Sequence, residues 1–300
     1  MIRQLLSKAS FSIVKFVLFT TRILPENITY AGLDIIAYLG SSVKWKRKEI
    51  ALKNLSIVFP EKTEKEKKQI FKDSLRKSLK YYVEIIMLVS KKYSAKDILS
   101  LADCEGLENL DNIRDREVGA LLYTGHIGNF PLMAIWLALK GYPIAAIYKE
   151  AKNFPDDFYG NIMRSYNVIP LKYNSDAALT VSIIKALKQK KIVLIQNDQS
   201  DPNGIYINFF NKWVPSATGP AILAKRTAVP IIPAYIFRDK KKHHTIRILP
   251  EFILTNEKTL ELFIEKNIQL LVNWIAEIIR KHPTEWFWLH NRWKREKVQT

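Results

Sequence analysis

From residue 117 onward, short apolar runs alternate with longer segments whose apolar residues recur at helical spacing. The runs at 118–122, 144–148, 192–196, 229–237 and 245–249 have strand length, and the segments at 131–140, 155–166, 176–189, 218–227 and 257–281 read as helices. Such alternation predicts an α/β fold with a mostly parallel central sheet covered by helices on both faces. The chain before it is predicted to be helical. A basic cluster, Lys44-Trp45-Lys46-Arg47-Lys48, opens a helix that runs to about Val58 and is ended by Phe59-Pro60. A second long helix over 63–90 is charged early and carries an apolar face late, through Leu75, Leu79, Tyr82, Val83, Ile86 and Met87. No repeat, low-complexity tract or Gly/Ser linker interrupts the chain. Residues 25–300 are therefore expected to form one domain, with a helical lead-in over 25–105 and an α/β core over 106–300.

Residues 1–24 are patterned differently. Arg3, Lys8, Lys15 and Arg22 are interspersed among Leu5, Leu6, Phe11, Ile13, Val14, Phe16, Val17, Leu18 and Phe19. Lys15 interrupts the apolar centre that a signal peptide needs, and no uncharged run approaches the roughly 20 residues of a spanning helix. A membrane-associating amphipathic helix in the headgroup plane fits better, with cations reaching outward and phenylalanines in the acyl boundary.

Charge narrows the choice of partner. Lys+Arg 47 against Asp+Glu 29 gives a net charge of +18, which favours acidic partners: nucleic acid, anionic headgroups or an acidic carrier protein. Cys104 is the only cysteine, so an intrachain disulfide and a cysteine-based zinc site are both excluded.

The candidate chemistry begins at Gly125-His126-Ile127-Gly128-Asn129-Phe130-Pro131, a turn between a strand end and a helix start. An imidazole there is open to substrate on one side, and its ordinary pKa of about 6.5 suits a general base. The loop Asn197-Asp198-Gln199-Ser200-Asp201-Pro202-Asn203-Gly204 follows another predicted strand, where a carboxylate could orient an imidazole or bind a hydroxyl, or simply form a polar turn. Residues 205–213 are apolar enough to line a greasy cavity or to pack into the core. Arg164 could hold a phosphate or a developing negative charge, or be a solvated helix residue. The tail from His282 to Lys294 mixes tryptophans, histidines and cations, a combination suited to an interface wet on one side, or to base stacking. His243-His244 beside Lys240-Lys241-Lys242 reads as a solvated basic turn, with no metal site.

Taken in order, several of these segments resemble the lipid A biosynthesis acyltransferases, the lauroyl and myristoyl transferases of Gram-negative inner membranes. The matching residues are Asn54-Leu55 with Phe59-Pro60, the turn Gly125 to Phe130, Asp198-Gln199 with Gly204 and Phe209-Phe210, Thr218-Gly219-Pro220-Ala221, and Pro283-x-x-Trp286-x-Trp288-x-His290-x-Arg292-Trp293. The resemblance implies an αβα acyltransferase fold and an enzyme of the cytoplasmic face of the inner membrane. That enzyme would move a fatty acyl chain from acyl carrier protein, or acyl-CoA, to a hydroxyl of a lipid A precursor or similar membrane glycolipid. It implies no cofactor, metal or nucleic-acid partner. His126, Asp198 and Arg164 are then the expected catalytic residues, with Arg164 or backbone amides stabilising the oxyanion. Gly128, Asn129, Gln199, Phe209, Phe210 and Arg292 are expected to bind substrate.

The chain departs from the family pattern His-x-x-x-x-Asp/Glu at Pro131, which stands where the acid should be. A proline side chain holds no imidazole tautomer, so Asp198 or Asp201 from the neighbouring loop is expected to supply the carboxylate. Alternatives are an acyltransferase acting on a lysophospholipid or another membrane glycolipid, and a non-catalytic lipid-binding homologue.

Overall fold

The computed structural model describes residues 19–20, 23–90, 92–150, 157–239 and 243–297. Most of the expected membrane-associating helix at 1–24, and the start of the helix expected at 155–166, lie outside these residues.

Three helices lead in: α1 (Glu26–Ser42), α2 (Lys46–Val58) and α3 (Glu64–Val89). Helix α3 starts where sequence chemistry dictates, at a Thr63/Glu66 capping box in which each side chain satisfies the other's backbone N–H. A short helix, α4 (Ala95–Ser100), then feeds strand β1 (Ala102–Glu105) and helix α5 (Glu108–Asp115). The core continues through β2 (Ala120–Thr124), α6 (Phe130–Leu139), β3 (Ile144–Tyr148), α7 (Phe158–Ser165), β4 (Ile169–Lys172), α8 (Asp176–Lys188) and β5 (Ile192–Gln196). A hairpin of β6 (Ser200–Asn208) and β7 (Trp213–Ser216) stands apart from the main sheet. Helix α9 (Gly219–Thr227), strands β8 (Ile231–Arg238) and β9 (His244–Ile248), and helix α10 (Leu260–Lys281) complete the order.

The seven-stranded sheet runs β1-β9-β8-β2-β5-β3-β4. Strands β8, β2, β5, β3 and β4 are mutually parallel, while β9 is antiparallel to β8 and β1 runs with β9. The expected mostly parallel sheet is present, with a reversed edge. Alternation along β2 divides the core into two layers. Leu121 and Tyr123 pack with residues of α8, α9 and α10, whereas Ala120 and Leu122 pack with α6. Helix α6 is buried on every side from Leu132 to Ala138, which explains why its sequence is apolar without a polar face.

The lead-in helices are arranged in an unusual way. Helix α1 turns its polar positions inward: Tyr30 bonds Glu84 at 2.9 Å, and Asp34 takes both Arg76 and Lys80 of α3. Its apolar residues Ile28, Ile35, Ile36 and Leu39 are each more than half exposed on the outer face, as is Val43 just beyond its end. None of the described helices is long and apolar enough to cross a membrane.

Three sequence expectations change here. His244 is not in a solvated turn: it is an inward residue of β9, buried against Glu84 and Arg238 because β9 pairs with the interior strand β8. Trp286, Trp288 and Trp293 form no exposed interface, since each is at most 3% accessible: Trp286 and Trp293 pack on Phe209 in the core, and Trp288 packs on Trp286. The turn-forming residues Asp201-Pro202-Asn203-Gly204 belong to the irregular first half of β6, whose register shifts between Ser200 and Ile205.

Candidate active site

The histidine turn lies beyond the carboxyl end of β2, the place where parallel sheets present their ligands. Gly128 takes φ +60°, and a Cβ there would lie 2.0 Å from the Ile236 carbonyl oxygen, so only glycine fits. The tail holds the turn down. Gly128 N–H donates to the Glu285 carbonyl at 2.9 Å, Phe287 N–H donates to the His126 carbonyl at 3.1 Å, and Ile127 bridges Trp286. Asn129 then caps α6, its side-chain oxygen accepting from Leu132 N–H at 3.2 Å.

Asp198 follows β5, the strand paired in parallel with β2, so both residues emerge from the same edge of the sheet. Its Oδ1 lies 2.8 Å from His126 Nδ1, and its Oδ2 accepts from Trp286 Nε1 at 2.8 Å. A buried carboxylate without donors would be costly. Here each oxygen has one, and burial notwithstanding, the adjacent His126 charge and these bonds hold Asp198 down at about 2. Burial works against protonation of His126, but the Asp198 carboxylate outweighs it and the imidazole pKa is raised above 6.5. With Nδ1–H committed to Asp198, Nε2 is the nitrogen left to accept a proton from substrate. Gln199 sets its amide nitrogen 3.4 Å from Nδ1, too far to compete with Asp198.

The imidazole opens on a cavity of about 140 Å³ between the turn, α3 and the tail. Tyr82, Ile85, Phe130 and Phe287 give it apolar walls, with Gly128, Asn129 and Pro131 on the turn side. Tyr82 is more than half exposed, so the cavity reaches the surface. Glu285 also lines it, its carboxylate held by Lys77 and by Tyr81 Oη.

Of the residues expected from sequence, His126, Asp198, Gln199, Gly128 and Asn129 come together. Four do not. Phe209, Phe210 and Arg292 are interior residues: the phenylalanines pack on Trp293, and Arg292, fully buried, braces the β7 strand through Pro215 O (2.7 Å) and Ser216 Oγ. Arg164 is about half exposed on α7, where its guanidinium is already engaged by Asp157 and Asn161. Asp201 lies on β6 and caps Asn203 N–H at 2.9 Å, leaving Asp198 as the carboxylate at the imidazole. Conversely, sequence reasoning missed Glu285 and Glu84. Glu84 receives Asn129 Nδ2 at 2.9 Å, Tyr30 Oη at 2.9 Å, His244 Nε2 at 3.0 Å and the Arg238 guanidinium, and so anchors the exit of the histidine turn. A glutamate within the late, apolar half of α3 was the available signal.

The chain is similar to several known acyltransferases. The phosphatidylinositol mannoside acyltransferase of Mycobacterium tuberculosis is 21% identical over 63% of this chain and 58% of its own length. Lipid A biosynthesis acyltransferase 2 of Shigella flexneri is 24% identical over 81% of the chain and 76% of its own. The lipid A biosynthesis myristoyltransferase of Escherichia coli is 22% identical over 77% and 74%. The chain thus spans somewhat under two thirds of the length of the mycobacterial relative. Residues 3–295 match the family described as bacterial lipid A biosynthesis acyltransferase, and the chain belongs to that family.

Proposed function

We propose that this protein transfers a fatty acyl chain from an acyl thioester, carried by acyl carrier protein or coenzyme A, to a hydroxyl of a membrane glycolipid, a lipid A precursor or a close analogue. The observation that carries this reading is the chain Trp286–Asp198–His126, which ends at an apolar-walled cavity. In the reaction, His126 Nε2 takes the proton of the acceptor hydroxyl as its oxygen attacks the thioester carbonyl. The tetrahedral intermediate collapses with cleavage of the carbon–sulfur bond, and the departing thiolate takes the proton back from His126. Asp198 fixes the tautomer and stabilises the imidazolium between the two transfers, while Trp286 fixes Asp198. General base catalysis of this kind is worth about 10²–10⁴-fold in rate. Pro131 leaves no gap in such a mechanism, because Asp198 takes the acid's place from another loop. Arg164, already paired with Asp157, has no step.

A glycolipid acceptor is favoured because the relatives are named for two glycolipids, phosphatidylinositol mannoside and lipid A. Membrane association is favoured by the outward apolar face of α1 and by the exposed Tyr82 at the cavity mouth. An acceptor with long acyl chains leaves the bilayer at about 0.8 kcal/mol per methylene, so an enzyme seated on the inner membrane, at its cytoplasmic face, avoids that cost. The test is incubation of the purified full chain with acyl carrier thioester or acyl-CoA and a lipid A precursor, with products read by mass spectrometry. An acylated glycolipid that disappears in His126→Ala supports the reading. Transfer undiminished by that substitution removes His126 from the mechanism, and a bound lipid with no turnover over long incubation would mark a lipid-binding protein instead.

A further inference from the structure

A second concavity, formed by the start of α2 and the end of the tail, takes in Ser200 of the loop that carries Asp198. Lys46, Arg47, Lys294 and Arg295 line it, all four of them exposed, and no carboxylate does. Among the described residues none of the four is paired with an acid. Arg47 reaches only the Leu289 carbonyl, at 3.1 Å, and the neighbouring Glu296 is taken by Lys212. Four like charges gathered without a counter-ion repel one another. Two of them also sit on the first turn of α2, the positive end of a helix dipole, where cations are unfavourable. Trp45, the residue before that turn, offers no side-chain cap to its N–H groups. Two further lining residues, Ser200 and His290, each keep a buried polar atom, Oγ and Nδ1, without a partner among the described residues. Four cations unpaired among the described residues line one space, and an anion is the ligand they suit.

We infer that this groove binds a phosphate group carried by one of the two substrates. Its position supports that use. Ser200 is two residues from Asp198, and His290 N–H donates to the carbonyl of Phe287, whose own N–H donates to the His126 carbonyl. His126 therefore has an apolar cavity on its α3 side and a cationic groove beside the Asp198 loop, as an amphiphile with an acyl part and a phosphate requires. The inference rests on the acyl-transfer reading for the ligand's identity but not for its binding. The phosphate would come from the pantetheine arm of the donor or from the lipid acceptor.

Calorimetric titration of the full-length protein with two matched pairs of probes decides both the site and the source. One pair is coenzyme A and pantetheine; the other is a short-chain phosphatidic acid and the corresponding diacylglycerol. In one pair the phosphate-bearing member should bind about tenfold or more tightly than its partner, the scale of one or two charge-assisted hydrogen bonds. That advantage should vanish in Lys294→Gln/Arg295→Gln and shrink in Lys46→Gln, substitutions at exposed positions, with an unchanged thermal melt. A preference in the first pair assigns the groove to the donor, and in the second to the acceptor. Absence of a phosphate preference in both pairs, or a preference that survives the substitutions, overturns the inference. Acyl transfer assayed in parallel separates that result from failure of the enzymatic reading, because binding needs no turnover.

Discussion

Two histidines among the described residues meet a buried carboxylate, and the two pairs behave oppositely. His126 meets Asp198 at 2.8 Å and His244 meets Glu84 at 3.0 Å, so contact distance does not distinguish them. Surroundings do. The His126 side chain keeps 30% of its surface open, and the Asp198 charge outweighs burial, so its pKa is raised. The His244 side chain is 2% exposed, and burial together with the Arg238 charge pushes it down to about 3. One pair leaves an imidazole nitrogen open to the cavity, as the proposed acyl transfer requires. The other holds a neutral imidazole as a fixed donor, in a cluster that anchors Asn129 and therefore the turn carrying His126.

Breaking the two pairs should give different kinds of damage. Replacing His126 with alanine should show first in activity, lowering kcat/KM for acyl transfer by about 10³-fold or more, within the range for a lost general base. Glu84→Gln should do the reverse in kind. It leaves Arg238 buried beside a neutral amide, so chemical denaturation should show a loss of about 3–5 kcal/mol, the cost of breaking a buried pair from one side. A smaller effect is expected at Trp286→Phe, which strips the donor from Asp198 Oδ2. Leaving that oxygen unsatisfied costs about 1–3 kcal/mol, visible both as lower stability and as a weakened dyad.

Stability against pH sharpens the contrast. His126, with its pKa raised in the fold, stabilises the protein fully below 6.5, and that contribution is lost as pH rises through the folded value. His244 has the opposite sign. Between about 6.5 and about 3 the unfolded chain takes up a proton that the folded chain refuses, so stability falls as pH falls. The slope is about 1.4 kcal/mol per pH unit for one such group. Denaturation curves at a series of pH values should show that part of the acid-side slope removed in His244→Gln, and retained in His126→Gln.

The same contrast shows which features were legible in sequence. His126 and Asp198 were both visible, because each ends an apolar run of strand length and chemistry-bearing residues at strand ends announce themselves locally. Glu84 and Glu285 were not. Glu84 meets Asn129 and His244 across 45 and 160 residues of chain, and a lone acid on an apolar helix gives no hint of its partners. The adjacent pair His243-His244 misled because three lysines precede it, yet strand alternation sends His244 inward. The tryptophans of the tail read as an interface by composition, and only their contact with the hairpin residue Phe209 shows them to be core. The main strands and the long helices α3, α6, α8 and α10 followed from periodicity within a few residues. The short elements α4, β1 and α5 carry too few apolar positions for a period to be read. Arg164 and Arg292 illustrate a last limit: an arginine's sequence position does not reveal whether an acid or a carbonyl already holds it.

The most direct test of the dyad is the pH dependence of kcat/KM for acyl transfer in the wild-type protein and in Asp198→Asn. In the wild type the acid limb should fall above pH 6.5, since His126 must be neutral to act and Asp198 raises its pKa. In Asp198→Asn the limb should move to lower pH, because the charge that favoured the imidazolium is gone, and the plateau should drop by about 10³–10⁴-fold, as when a histidine base loses its orienting acid. A wild-type limb that stays in place in Asp198→Asn, with the plateau intact, would contradict the assignment of His126 and Asp198 as the catalytic pair.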